Sequence, residues 1–240
     1  LAFLGAVSLP LYHRVWLQGW RTAATDPELR GLLTATVLVA TLTAGLAVHA
    51  GSGWGEALWH GTLIGVSAQT GTGFTTLEPP RLGAPAQLAL IVAMLVGGGI
   101  GSTTGGIKIL RLLILGKLLR ATLQRTAVPA HAVITPRLGN RALEPDDLIR
   151  ALGLAALFAT LVLLSWLVFL AHGYPPLPAL FEVASAVGTV GLTAGLTRPE
   201  LEPALKAVLC FDMIAGRLEI IALLVVLYPR TWLGRRNRTR

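Results

Sequence analysis

A long apolar run, a shorter apolar piece, a Gly/Thr loop and a second long apolar run follow one another twice in this chain. That repetition limits the fold more than any other feature. The long runs cover residues 29–49, 86–119, 148–171 and 203–228, and a bilayer is crossed by about 20 apolar residues. The short pieces, residues 56–69 and 178–187, lie near the range of about 10–14 residues that is too short to cross, and they read as re-entrant half-helices. The loops after them align at a fixed offset. Ser67-Ala68-Gln69-Thr70-Gly71-Thr72-Gly73-Phe74-Thr75 matches Ser185-Ala186-Val187-Gly188-Thr189-Val190-Gly191-Leu192-Thr193, with Ser, Ala, Gly and Thr at the same four places. Because the flanking topology repeats too, two unrelated small-residue loops are the weaker explanation. The expected fold is an all-α membrane protein made of two span–half-helix–span repeats.

Charge supports the same reading. The chain is 53% hydrophobic and only 13% charged, where a soluble domain averages about 25%. The net charge of +8 raises the question of nucleic acid, but its placement excludes it: sixteen of the twenty Lys and Arg fall in residues 14–30, 108–150 and 230–240. Each block flanks an apolar run, which is the positive-inside pattern. The connections near residues 56–81 and 182–206 hold more acids than bases. The basic blocks are therefore placed in the cytoplasm and the Gly/Thr loops toward the outside, with lipid rather than nucleic acid as the surrounding partner. Cys210 is the only cysteine, so no intrachain disulfide or cysteine metal cluster is expected.

The loops suit a cation. An ion entering a membrane must exchange water for other oxygens, and backbone carbonyls provide them without a net charge that would trap it. Irregular backbone at membrane depth survives only where it is buried in protein or lines a wet cavity. Glycine lets successive carbonyls turn to one side, and Thr adds a hydroxyl oxygen. The candidate ion-binding residues are Thr70, Gly71, Thr72 and Gly73 in one loop and Gly188, Thr189, Val190 and Gly191 in the other. Each half-helix would point its negative C-terminal dipole end at the pore. Two loops cannot close a ring that needs about four contributors. Either the chain dimerises or two more repeats lie upstream of Leu1, and the short apolar stretch at residues 1–10, read as the end of a cut helix, favours the second.

The second long run is broken by Gly97-Gly98-Gly99-Ile100-Gly101-Ser102-Thr103-Thr104-Gly105-Gly106. Each glycine costs a helix interior roughly 1 kcal/mol, so six within ten residues predict a loop. A phosphate loop fails on spacing, since no Gly-Lys-Ser/Thr follows, and no G-x-G-x-x-G set is present. Close helix packing through small residues is one alternative. A flexible intramembrane loop that obstructs a pore from the cytoplasmic side fits better. The gating candidates are Gly97, Gly98, Gly99, Gly101, Ser102, Thr103, Thr104, Gly105 and Gly106, together with Arg217. Asp212, Arg217 and Glu219 stand inside the fourth apolar run, where ionisable residues are costly and need partners. Arg217 is expected to meet a carboxylate or the carbonyls of the glycine loop, and Asp212 to cap or pair locally.

Four stretches resemble the Trk/Ktr/HKT superfamily of potassium transporters, in particular its bacterial TrkH/KtrB-type membrane subunits. Asp26-Pro27-Glu28-Leu29-Arg30 resembles the opening of the third repeat, and residues 67–76 resemble the third filter. Residues 97–111, reading GGGIGSTTGGIKILR, resemble the broken helix of that repeat. Gly216-Arg217-Leu218-Glu219-Ile220, with Tyr228-Pro229 and Trp232, resembles the TrkH C-terminus. The Gly188–Leu192 loop is closer to KtrB. The resemblance implies a pore of four span–pore-helix–span repeats, with the third and fourth present here. Residues 1–24 would be the end of a preceding repeat plus a linker, 25–125 the third repeat, 126–147 a cytoplasmic linker, 148–230 the fourth repeat and 231–240 a basic tail. It further implies potassium as the transported ion with no organic cofactor, and a multi-pass protein of the bacterial inner membrane. It also implies a homodimer and a cytoplasmic nucleotide-binding regulatory subunit of the TrkA/KtrA type, with residues 108–150 as its docking surface.

Rival readings are sodium or mixed monovalent cation transport, and a non-conducting membrane subunit. An intramembrane enzyme would need Ser67 or Ser185 as nucleophile and His60 or His172 as base. Neither histidine is well placed in sequence, so the chain is not expected to be an enzyme.

Overall fold

The computed structural model describes residues 1–126, 136–139 and 141–217. It is mostly helical. Two short helices, α1 (Ala2–Ala6) and α2 (Leu9–Gln18), lead through α3 (Arg21–Thr25) to α4 (Pro27–His49). The opening of α4 follows from its residues. Asp26 accepts from the backbone N–H groups of Glu28 and Leu29 at 2.9 and 3.1 Å, and Pro27 takes the first turn, where its missing N–H is no loss. Arg14 of α2 donates to the same carboxylate at 2.7 Å, which ties α2 to α4.

After α4, the chain is helical again from α5 (Trp54–Glu56) through a π turn, Ala57–Gly61, into α6 (Thr62–Thr70). Gly61 and Gly65, four residues apart, let α6 lie directly on Ala40, Thr43 and Ala44 of α4, a close approach that small residues allow. The Thr43 hydroxyl, fully buried, donates across the contact to the Gly61 carbonyl at 2.6 Å. The third helix of this half is divided, as the glycine run predicts. Its parts are α7 (Gly83–Leu95) and α8 (Ile109–Arg125).

The second half repeats the order. Helix α9 (Pro145–Ala171) opens with a reciprocal cap between Glu144 and Asp147. It is followed by α10 (Pro176–Val187) and α11 (Pro203–Arg217). One element departs from the all-helical expectation: Arg137–Leu138 pairs antiparallel with Arg141–Ala142 between α8 and α9. The fourth apolar run is described only to Arg217. Glu219, Tyr228, Pro229, Trp232 and the expected basic tail lie outside the described residues.

One apolar core gathers Ile64 and Ala68 of α6, Leu90 and Met94 of α7, and Phe181 and Ala184 of α10. A second joins Phe158, Val162 and Phe169 of α9 to Val183 and Val187 of α10 and Leu205 and Leu209 of α11. Helix α10 belongs to both, so the two halves share a wall. Among the described residues, α4 and α9 are long and apolar enough to cross a membrane. Only 22% of the most apolar window of α9 is buried inside the protein, and Leu152, Leu163, Leu164 and Leu167 are exposed. A soluble core helix would bury such a face; a lipid-facing one leaves it open.

Candidate functional site

The two Gly/Thr loops close in the same way. Helix α6 ends with Gly71 in the left-handed region at φ 65°. There the N–H of Gly71 donates to the Ala68 carbonyl and that of Thr72 to the Ser67 carbonyl, at 3.4 and 3.1 Å. This is the Schellman closure. At the matching positions after α10, Thr189 donates to the Ala186 carbonyl and Val190 to the Ser185 carbonyl, at 3.0 and 2.9 Å. Positive φ recurs at Gly71 and Gly73 in one loop (65° and 72°) and at Thr189 and Gly191 in the other (53° and 90°). The residue between, Thr72 or Val190, has negative φ. Such alternation departs from an extended strand, in which every residue has negative φ.

Thr189 is the only non-glycine with positive φ among the described residues. A β-branched residue there is strained by roughly 1–2 kcal/mol, and its buried hydroxyl has no hydrogen-bond partner. Thr189→Gly should therefore raise stability by up to about 1 kcal/mol after the entropy cost of glycine, and by more than Thr189→Val, which also removes the unpartnered hydroxyl but keeps the strained β-branch. Thermal unfolding in detergent measures both, and a glycine variant less stable than the valine variant contradicts the strain.

The two loops meet. A β-carbon on Gly73 would run into the Val190 carbonyl oxygen. Thr70 is buried at the end of α6 and donates to the Val66 carbonyl at 2.7 Å. Gly188 follows α10 and packs against the Met94 carbonyl of α7. Each serine braces its own loop: the Thr72 hydroxyl donates to Ser67 Oγ at 3.2 Å, and the Gly191 N–H donates to Ser185 Oγ at 3.1 Å. Neither serine meets a histidine. His60 Nδ1 lies 2.5 Å from Thr76 Oγ1, and His172 contacts the Val168 carbonyl and Glu202.

The broken helix forms an ordered loop against both Gly/Thr loops. Val96 and Ile107 bridge its neck, with the Gly97 N–H on the Ile107 carbonyl at 2.8 Å. Inside the loop, Thr104 Oγ1 accepts from the Gly98 N–H at 2.7 Å and lies 2.8 Å from Ser102 Oγ. The Lys108 ammonium donates to the Thr104 carbonyl. Gly105 touches the second Gly/Thr loop. A β-carbon there would stand 2.6 Å from both the Gly188 carbonyl oxygen and Thr189 Oγ1. One on Gly71 would stand 3.5 Å from Thr104. Further bonds fix the loop from outside. Gly99 and Thr103 donate to the Ala6 and Gly5 carbonyls of α1 at 2.8 and 3.1 Å, and Ile100 donates to Glu28 Oε1 at 2.6 Å. Gly101 and Gly106 take positive φ at its turns. Of the two partners expected for Arg217, the structure selects the loop: its guanidinium donates to the Thr103 carbonyl. Asp212 does not cap or pair locally as expected: fully buried on α11, it accepts from Ser165 Oγ of α9, 47 residues away, at 2.7 Å, and its Oδ2 has no hydrogen-bond partner among the described residues.

Two residues escaped the sequence reading. Gln69 Nε2 donates to the Val96 carbonyl at 2.8 Å and joins the end of α6 to the neck of the broken helix. Glu182 of α10 is 3% exposed and gathers the segment after the second loop. Its position within an apolar half-helix was the available signal.

The described chain superposes on the crystal structure of the potassium transporter TrkH from Vibrio parahaemolyticus with a TM-score of 0.85 and 26% identity, over 96% of this chain and 51% of that one. The TrkH family profile, described as cation transport protein, matches residues 31–231, and the chain belongs to that family. A Trk system potassium uptake protein, TrkI of Halomonas elongata, is 34% identical over 95% of this chain and 47% of its own length. The Trk system potassium uptake protein TrkH of Escherichia coli is 33% identical over 70% of this chain and 35% of its own. An uncharacterized cation transporter of Methanocaldococcus jannaschii is 35% identical over 67% of this chain and 34% of its own. The chain thus spans about a third to a half of the length of these relatives.

Proposed function

We propose that the chain supplies two of four span–pore-helix–span repeats of a potassium uptake pore. The observation that carries this is the identical closure of the two loops, with positive φ at matching positions and their meeting at Gly73 and Val190. In this reading α6 and α10 are pore helices. Their C-terminal dipole ends and the carbonyls of Gly71, Thr72, Gly73, Thr189, Val190 and Gly191 replace the water around the ion. The loop of residues 97–106 is the intramembrane gate beneath them, and Arg217 is the cation that fixes it. The names of the Escherichia coli and Halomonas relatives support potassium as the substrate. The protein works in the bacterial inner membrane as a multi-pass dimer, and its basic segment, residues 108–150, receives a cytoplasmic nucleotide-binding regulatory subunit.

The test is complementation. The full-length natural gene product, expressed in a bacterium lacking potassium uptake, is expected to restore growth at limiting potassium and to carry rubidium as a potassium tracer. Sodium flux without restored growth would replace potassium by sodium or mixed cation transport. Correct insertion with no flux of either ion would favour a non-conducting subunit.

A further inference from the structure

The outer ends of the two loops are built differently, and the difference is one buried charge. At Ile64, the position that matches Glu182 at the fixed offset between the repeats, the first half carries a fully buried apolar side chain. The segment after the first loop is held by the exposed contact of His60 with Thr76 and by the Thr75 hydroxyl on the Leu77 carbonyl. In the second half the carboxylate of Glu182 does this work. Oε1 accepts from Thr193 Oγ1 at 2.6 Å and from the N–H groups of Ala194, Leu196 and Thr197 at 2.9, 3.1 and 3.4 Å. Oε2 accepts from Thr197 Oγ1 at 2.6 Å.

All five donors are neutral, and no ion pair to Glu182 is found among the described residues. An acceptor-only set of this kind suits the carboxylate form. The group also lines a cavity of about 500 Å³ together with Ser185, Thr189, Gly191 and Arg217. Arg217 donates to the Thr103 carbonyl, and among the described residues no cation pairs directly with Glu182, so the carboxylate stands beside the second loop unpaired, in surroundings where charge is weakly screened.

We infer that Glu182 is a positioning residue with an electrostatic role: it fixes the outer end of the second loop, and its unpaired negative charge strengthens cation binding at that end, opposing the guanidinium of Arg217 across the same cavity. The inference rests on the two loops being the filter. Hydrogen bonding alone would need only an oxygen at this position; the electrostatic role needs the charge. Glutamine keeps the size and one acceptor oxygen but removes the charge. Aspartate keeps the charge on a shorter arm.

The experiment compares Glu182→Gln and Glu182→Asp in the full-length protein, measuring rubidium uptake in uptake-deficient cells, with membrane abundance in parallel. Glu182→Gln is expected to raise KM on the order of threefold to tenfold with Vmax per molecule nearly unchanged. Glu182→Asp is expected to stay closer to the parent in KM. An unchanged KM in the glutamine variant overturns the inference. So does an equal effect of both variants through lost abundance alone, since that is a purely structural role. Gly73→Val, measured alongside, separates the two levels: if it too leaves uptake intact, the filter reading itself has failed.

Discussion

Gly73→Val should reduce potassium uptake by at least about 100-fold while the protein still reaches the membrane. Two independent effects act at this position. Gly73 has φ 72°, a conformation that costs an L-residue roughly 1–2 kcal/mol, more when it is β-branched. A β-carbon there also meets the Val190 carbonyl oxygen. Relief of that clash must displace either the first loop or one of the carbonyls of the second. A ring of carbonyls that replaces a hydration shell depends on their number and direction, so displacement on either side damages the same site. The partner position makes a graded control. Gly191 has φ 90°, but nothing lies within 4 Å of a β-carbon there. Gly191→Ala therefore carries strain without collision and should lose less uptake than Gly73→Ala. Rubidium influx normalised to membrane abundance ranks the four proteins. Full uptake by Gly73→Val would remove the first loop from the conduction path.

The repeat was legible because its signals are local. Asp26 before Pro27 marks the start of α4, six glycines in residues 97–106 stop a helix, and the loops align without a gap. The same alignment sets Thr189 opposite Gly71, so its left-handed backbone was readable as well, given the closure of the first loop. What stayed hidden depends on contacts far apart in the chain. Glu182 gained its meaning from donors more than ten residues later, and Gln69 from a carbonyl 27 residues away. Ser67 and Ser185 stood in the sequence only as the nucleophiles a rival reading would need; in the structure both are buried and brace their loops. The expectation of a flexible gate omitted the bonds to α1 and Glu28 that hold the loop, because nothing in residues 97–106 announces their partners. The π turn at Ala57–Gly61 carries no sequence mark distinct from an ordinary apolar helix.

Those bonds sharpen what removal of the loop should do. Deleting residues 98–105 is expected to raise potassium flux by roughly three- to tenfold, a barrier change near 1 kcal/mol. Gly97 and Gly106 are already neighbours, a β-carbon on Gly106 lying 3.1 Å from the Gly97 nitrogen; because Val96 and Ile107 pair in parallel, a flexible glycine linker replaces the deleted residues to carry the chain back. The neck between Val96 and Ile107 is left in place, while the material lying against both Gly/Thr loops is gone. The same deletion removes the Thr103 carbonyl that receives Arg217. Arg217→Gln separates the two contributions: it keeps the loop and its bonds to Ala6 and Glu28 but removes a positive charge from the cavity beside the second Gly/Thr loop. If the loop blocks by its bulk, the deletion should exceed the substitution. If the guanidinium charge is the main barrier to cations, Arg217→Gln alone should match the deletion. Because Gly105 also packs on Gly188 and Thr189, the deletion should cost some discrimination between potassium and sodium, and Arg217→Gln should not. Unaltered flux in both variants, at normal abundance, would mean that residues 97–106 are packing rather than a gate.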